Sequence, residues 1–310
     1  MRFWKLAGGT LALALALGGA ILWLAPGAQQ AHGTAGQRPF LAPLSPPNAK
    51  DGTGALESPP QRPRFTYVKT TEYSCGGESH AIKEFRHDLT GLEFALVPAG
   101  SLRKPGGPQD QEGQPVVEAA VASFLMAKTE VPQRVWVAVM GANPSRSKGA
   151  DHPVDSVSWV QARSFCAKTG LALPTELEWE YACRAGTESA FFWGDKLDTE
   201  YGWLEDNAAE RTRPVGTRRP NAFGLHDMIG NVYEWCDTWF HREGMSYEPA
   251  KDALRKGERP LRVLRGGSAA SPTCCAFSGS RSGNWAGKAT PYDGFRPIAR
   301  LAAAELTGGE

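Results

Sequence analysis

The stretch NAFGLHDMIGNVYEW (residues 221–235) decides how this chain is read. Rings at Phe223, Tyr233 and Trp235 are interleaved with Gly224 and Gly230, and only its end, 230–239, reads as a strand. The sequence around it behaves alike. Beyond Gly186 there is little helix, Gly, Pro and Trp recur, and short strands are expected over 230–239, 262–268 and 294–299. Such a long irregular half needs metal ions, disulfides or aromatic staples to stay ordered. The 35 Gly, 23 Pro and ten Trp fit a loop-rich fold pinned by large rings.

Toward the N-terminus regular structure increases. Strands are expected at 65–68, at 92–98 (with Ala99-Gly100 turning the chain) and as a pair within 116–126. Helices are expected over 131–140, with Pro132 in the first turn, over 158–166, capped by Ser158 or Ser156, and from Thr175, where Thr175 and Glu178 suit a capping box. The class is α+β with few, short regular elements. Glu176, Glu178 and Glu180 spread around the third helix, so Glu180 is read as facing inward beside Trp179 to bond a backbone turn, with the other two solvated. Trp136, Trp159, Trp179, Trp193, Trp235 and Trp239 are read as core.

The N-terminus sets the expected compartment. Arg2 and Lys5 precede an apolar, uncharged run over 6–24, at the border between a signal-peptide core and a spanning helix. Residues 1–25 are therefore read as a signal peptide or N-terminal membrane anchor, and the remainder as extracytoplasmic, periplasmic or secreted. Residues 26–64 form a Pro/Gly-rich stretch read as a disordered tether. A prelude over 65–90 follows, then one domain over 91–302 and a tail over 303–310. The prelude gathers Cys75, His80 and His87, whose spacing fits no standard metal-ligand pattern.

With 34 basic and 33 acidic side chains the charge is +1, so no strong field argues for nucleic acid as a partner. Six cysteines in an exported chain allow fifteen disulfide connectivities, and sequence does not choose among them. No CxxC, HExxH, GxSxG or Walker loop occurs.

Further segments, in order, complete the pattern: LEFALVPAG (92–100), EVPQRVWVAVMGANPS (130–145), HPVDSVSWVQARSFC (152–166), LPTELEWEYACRAG (173–186), LRGGS (264–268) and DGFRP (293–297). Together with 221–235 they resemble the formylglycine-generating enzyme (sulfatase-modifying factor) family, over about 210 residues. The resemblance implies that family's irregular variant of the C-type-lectin-like fold. It implies an oxygen-dependent oxidase acting on a protein cysteine or other thiol through Cu(I). Relatives in ergothioneine and pyoverdine biosynthesis, some with non-haem iron, and non-catalytic binding or scaffold modules share the fold, so the site must decide.

By that resemblance the copper thiols belong three and eight residues past Ser268, where this chain has Ser271 and Ala276. Cys274 and Cys275 lie in the same loop and are the candidate Cu(I) ligands, against a disulfide or inert thiols. Ser268 and Arg281 match active-site positions; Tyr233, Tyr292 and Pro297 depart from the pattern. The resemblance also implies a Ca²⁺ site at Asp227, Gly230, Val232 and Glu234, hard oxygen donors in a glycine-containing turn, or else acids that cap local backbone. Fe(II) would need carboxylates beside His226 and His241 and is the least supported metal. The expectation is a monomer, leaning towards an enzyme that acts on a polypeptide or small thiol.

Overall fold

The computed structural model describes residues 62–105, 116–240 and 261–300, all within one unit, Gly54–Glu310. The expected anchor and tail, and the tether up to residue 61, lie outside the described residues. Among those described, no helix is long and apolar enough to cross a membrane.

Among the described residues, three sheets carry the fold. The largest is antiparallel, in the order β1 (Phe65–Cys75), β2 (Glu78–His87), β3 (Glu93–Val97), β6 (Phe124–Ala127), β11 (Ile298–Ala299). A ribbon pairs β4 (Gly100–Pro105) with β5 (Val116–Val121). The third sheet runs β10 (Asp293–Gly294), β7 (Tyr233–Phe240), β8 (Leu261–Arg265), β9 (Arg281–Trp285), with β10 parallel to β7. The helices are α1 (Gln133–Met140), α2 (Trp159–Thr169), α3 (Glu176–Arg184) and the single turn α4 (Glu205–Ala208).

Several sequence expectations change here. The prelude is a long hairpin paired through β2 to β3, an integral part of the main sheet. Its turn at Gly76 requires glycine: φ is +63°, and a Cβ would lie 2.3 Å from the Phe192 carbonyl oxygen. The strands within 116–126 pair with different partners, β5 with β4 and β6 with β3. The segment 294–299 is two strand fragments in different sheets, joined by Phe295, Arg296 and Pro297. That crossing carries Arg296 between the sheets.

The capping predictions hold. The Ser158 hydroxyl accepts from Gln161 N and starts α2; Thr175 and Glu178 form the capping box of α3. Two apolar clusters flank the crossing. One surrounds α3 with Trp179, Phe192 and Phe223; in the other Trp136 stacks on Phe165 at 5.8 Å and meets Phe295 edge-on. Trp136, Trp179 and Trp235 are core as expected. Trp159, Trp193 and Trp239 are half-buried instead. Arg262 is sandwiched 3.8 Å over the Trp159 ring and 3.4 Å over that of Trp239, because a guanidinium stem can cover rings at a sheet edge.

Candidate functional site

The turn that precedes β7 builds the first site. Asp227, Gly230 and Asn231 all have positive φ, and a Cβ on Gly230 would fall 2.2 Å from the Trp203 carbonyl oxygen. This tight backbone turns Asp227, Asn231 and Glu234 inward, each 1% exposed or less. Glu130, fully buried just ahead of α1, meets them, and Asn231 Nδ2 lies 3.4 Å from Glu130 Oε2. From the strand crossing, Arg296 Nε and Nη2 donate to Glu234 at 2.7–2.9 Å. The remaining Arg296 hydrogens go to the carbonyls of Ala127, Lys128 and His226, and Trp179 Nε1 donates to Glu234 Oε2 at 2.7 Å.

Three acids thus share one buried arginine. Burial pushes the Glu130 carboxyl well above its usual range, and the neighbouring Asp227 adds to the rise. Burial raises Asp227 to about 6 despite a 2.6 Å hydrogen bond from Gly216 N. Burial alone would lower Arg296, but Glu234 outweighs it and raises it. Glu130 Oε1 and Asp227 Oδ1 are buried with no hydrogen-bond partner among the described residues. Unmatched hard oxygens of this kind fit Ca²⁺.

The expected calcium set fits only in part. Asp227 supplies an open oxygen, and Gly230 and Val232 lie buried in the same turn. Glu234 is engaged differently, because both its oxygens accept hydrogen bonds from Arg296 or Trp179. Glu130 Oε1 is the other carboxylate oxygen left open there. Sequence reasoning passed over it, although a lone acid between the apolar FLMA strand and the apolar face of α1 was the available signal. Among the described residues no three His, Cys, Asp or Glu side chains form a ligand cluster.

The second site is the loop after β8. Gly266 and Gly267 have φ of +85° and +75°, and a Cβ on Gly267 would lie 2.9 Å from Ala276 Cβ and 3.4 Å from Ser271 Oγ. Residues 271 and 276 therefore converge on one side of this loop. Ser271 Oγ donates to Tyr233 Oη at 3.1 Å, lies 3.2 Å from Ser268 Oγ and accepts from Ser268 N at 2.9 Å. Ser268 and Ser271 are buried, closing a small hydroxyl cluster.

The other candidates stand apart. Cys274 and Cys275 end a single 3₁₀ turn, Thr273–Cys275, with Cys275 exposed; the Cys274 side chain lies outside what is described. Arg281 is engaged by Glu176 through Nε and Nη2 at 2.7 and 2.8 Å. Cys75, Cys166, Cys183 and Cys236 are buried thiols without disulfides. Burial pushes Cys183 up to about 12 and Cys166 and Cys236 up as well, so they stay protonated. His226 Nδ1 donates to the Arg218 carbonyl at 2.7 Å; His241 lies outside the described residues. Glu180 bonds Arg265 and Arg184, while Glu176 and Glu178 pair with Arg281 and Arg300. The abundant arginines in β8, β9 and the C-terminal strand draw all three acids out of solvent.

A family model described as the sulfatase-modifying factor enzyme 1-like domain matches residues 79–301. The formylglycine-generating enzyme of Streptomyces coelicolor is 38% identical over 175 residues, covering 49% of this chain and 55% of that protein. Inactive C-alpha-formylglycine-generating enzyme 2 of Bos taurus is 31% identical over 150 residues, covering 44% and 45%. The chain spans about half the length of these curated relatives. Among solved structures, Treponema denticola variable protein 1 superposes with a TM-score of 0.58 at 25% identity, covering 76% of this chain and all of that one.

Proposed function

Because the chain belongs to the sulfatase-modifying factor enzyme 1-like domain family, we propose that it is a non-catalytic binding module on that scaffold, working outside the cytoplasm and stiffened by Ca²⁺. One observation carries this reading: the two positions where the family resemblance places copper thiols converge on Gly267 as Ser271 and Ala276. A hydroxyl and a methyl group do not hold Cu(I), which prefers thiolates. The buried thiols, held protonated, are no substitute. In their place Ser268, Ser271 and Tyr233 offer hydroxyl groups able to give or take hydrogen bonds with a polar ligand.

Asp227 and Glu130 would hold the calcium ion, which neutralises two buried carboxylates and stiffens the turn ahead of β7. The apolar run over 6–24 supports the extracytoplasmic setting.

An anaerobic Cu(I) titration against a competing chelator tests the module reading. Wild type, Cys274→Ala, Cys275→Ala and the double variant Ser271→Cys/Ala276→Cys are compared. Binding gained only by the double variant supports it. One tightly held Cu(I) in wild type, lost on removing Cys274 or Cys275, together with oxygen consumption on a cysteine peptide, would overturn it in favour of an oxidase.

A further inference from the structure

The segment ERTRPVGTRRP (210–220) carries four arginines and one acid in a chain whose overall charge is only +1. The excess is therefore local. Two of the arginines converge on one ring: the guanidinium carbons of Arg218 and Arg213 lie 3.4 Å and 5.5 Å from the Trp203 ring centroid. Trp203 is fixed in turn. Its Nε1 donates to Thr217 Oγ1 at 3.0 Å, and its carbonyl accepts from Asn231 N at 2.8 Å. Arg213 is anchored through its backbone N to Asn231 Oδ1 and through Nη2 to the Ala208 carbonyl, both at 2.9 Å.

The hydrogen bonding of this pair is incomplete. Arg219 next door is matched by Glu200 at 3.1 Å. Arg218 has no such match: among the described residues no carboxylate or carbonyl accepts from its guanidinium, and its Nε is buried. Arg213 Nε is likewise buried and unmatched among the described residues. A buried donor left without an acceptor is unfavourable, more so when charged, so an incoming acceptor is favoured. A guanidinium seated over an indole is also a preorganised fork, weakly hydrated and shaped for two oxygens of one oxyanion.

We infer that Arg213 and Arg218, mounted on Trp203, form a binding site for an oxyanion: the carboxylate or phosphate group of a ligand. This goes beyond the module reading and stands whether or not the loop after β8 has kept any chemistry. The segment that carries the site adjoins that loop, since Glu205 N donates to the Ser271 carbonyl.

Calorimetric titration of the full chain at low salt tests it, with inorganic phosphate and hexaglutamate as probes and hexaglutamine as the neutral control. At least one anionic probe should bind, more weakly as salt is added. Arg218→Gln and Arg213→Gln should each lose affinity about tenfold or more, and Arg219→Gln should match wild type. Arg218→Lys, which keeps the charge and loses the fork, should fall between and serves if the glutamine variant unfolds. Phosphate binding alone identifies a phosphate ligand, and hexaglutamate binding alone an acidic peptide. Absence of binding by both anions, equal binding of hexaglutamine, or affinity unchanged in both Arg218→Gln and Arg213→Gln overturns the site.

Discussion

Arg296 and Glu234 form an ion pair shut away from solvent, with guanidinium nitrogens 2.7–2.9 Å from both carboxylate oxygens and the two side chains 0% and 1% exposed. The pair joins the strand crossing to β7, and Trp179 ties it to α3. Removing one partner leaves a buried charge unmatched, which costs about 3–5 kcal/mol. Arg296→Met should therefore lower the unfolding free energy by about that amount in urea denaturation, with Glu234→Gln milder because it keeps an acceptor. A loss under about 1 kcal/mol for Arg296→Met would contradict this account.

Calcium should raise the melting temperature of the chain at neutral pH. Asp227→Asn and Glu130→Gln should each abolish most of that increase, while their calcium-free forms melt no lower than wild type because a buried charge has been removed. Differential scanning fluorimetry with calcium and with a chelator reads both effects. A full calcium response in both variants would place the ion elsewhere.

Lys128 and Glu84 give a pH dependence. Burial by itself would raise Glu84, but Lys128 at 2.8 Å and the Tyr73 hydroxyl at 2.6 Å outweigh it and hold the carboxyl low. Burial would lower Lys128, and Glu84 and Tyr73 outweigh it and hold the ammonium high. A depressed acid contributes stability above its unfolded pKa and loses it as pH falls through the folded one; a raised base loses its share as pH climbs through the folded value. Lys128→Met should therefore cost about 3 kcal/mol at pH 7, and the difference from wild type should shrink below about pH 4 as Glu84 takes a proton. Denaturation at pH 7 and pH 3.5 checks the convergence.

Gly230 is the backbone test. With φ of +92° and a carbonyl oxygen 2.2 Å from any Cβ, Gly230→Ala should destabilise by more than about 2 kcal/mol. Gly77→Ala, at φ +87° with nothing within 4 Å, should cost only about 1 kcal/mol, measured side by side.

The fold was legible where local chemistry repeats in sequence. Ser158, Thr175 and Glu178 announce their helices because capping is decided within four residues. The partnering of β5 and β6 was not legible, since register depends on contacts made far along the chain. The site divides similarly. Asp227 was visible in its glycine-bounded turn, whereas Glu130 meets it across a sequence separation of almost a hundred residues. The pairing of Glu234 with Arg296 was not visible either, since only the strand crossing brings those two together.

The paired left-handed glycines at 266 and 267 have unequal neighbours in Ser271 and Ala276. The backbone there is set by glycine and by buried neighbours, but Ser271 also holds the loop through the hydrogen bond its hydroxyl accepts from Ser268 N, whereas Ala276 adds only a methyl group. A change at 271 therefore alters the loop's own bonding as well as whatever meets it, while a change at 276 alters only what fills the space beside Gly267.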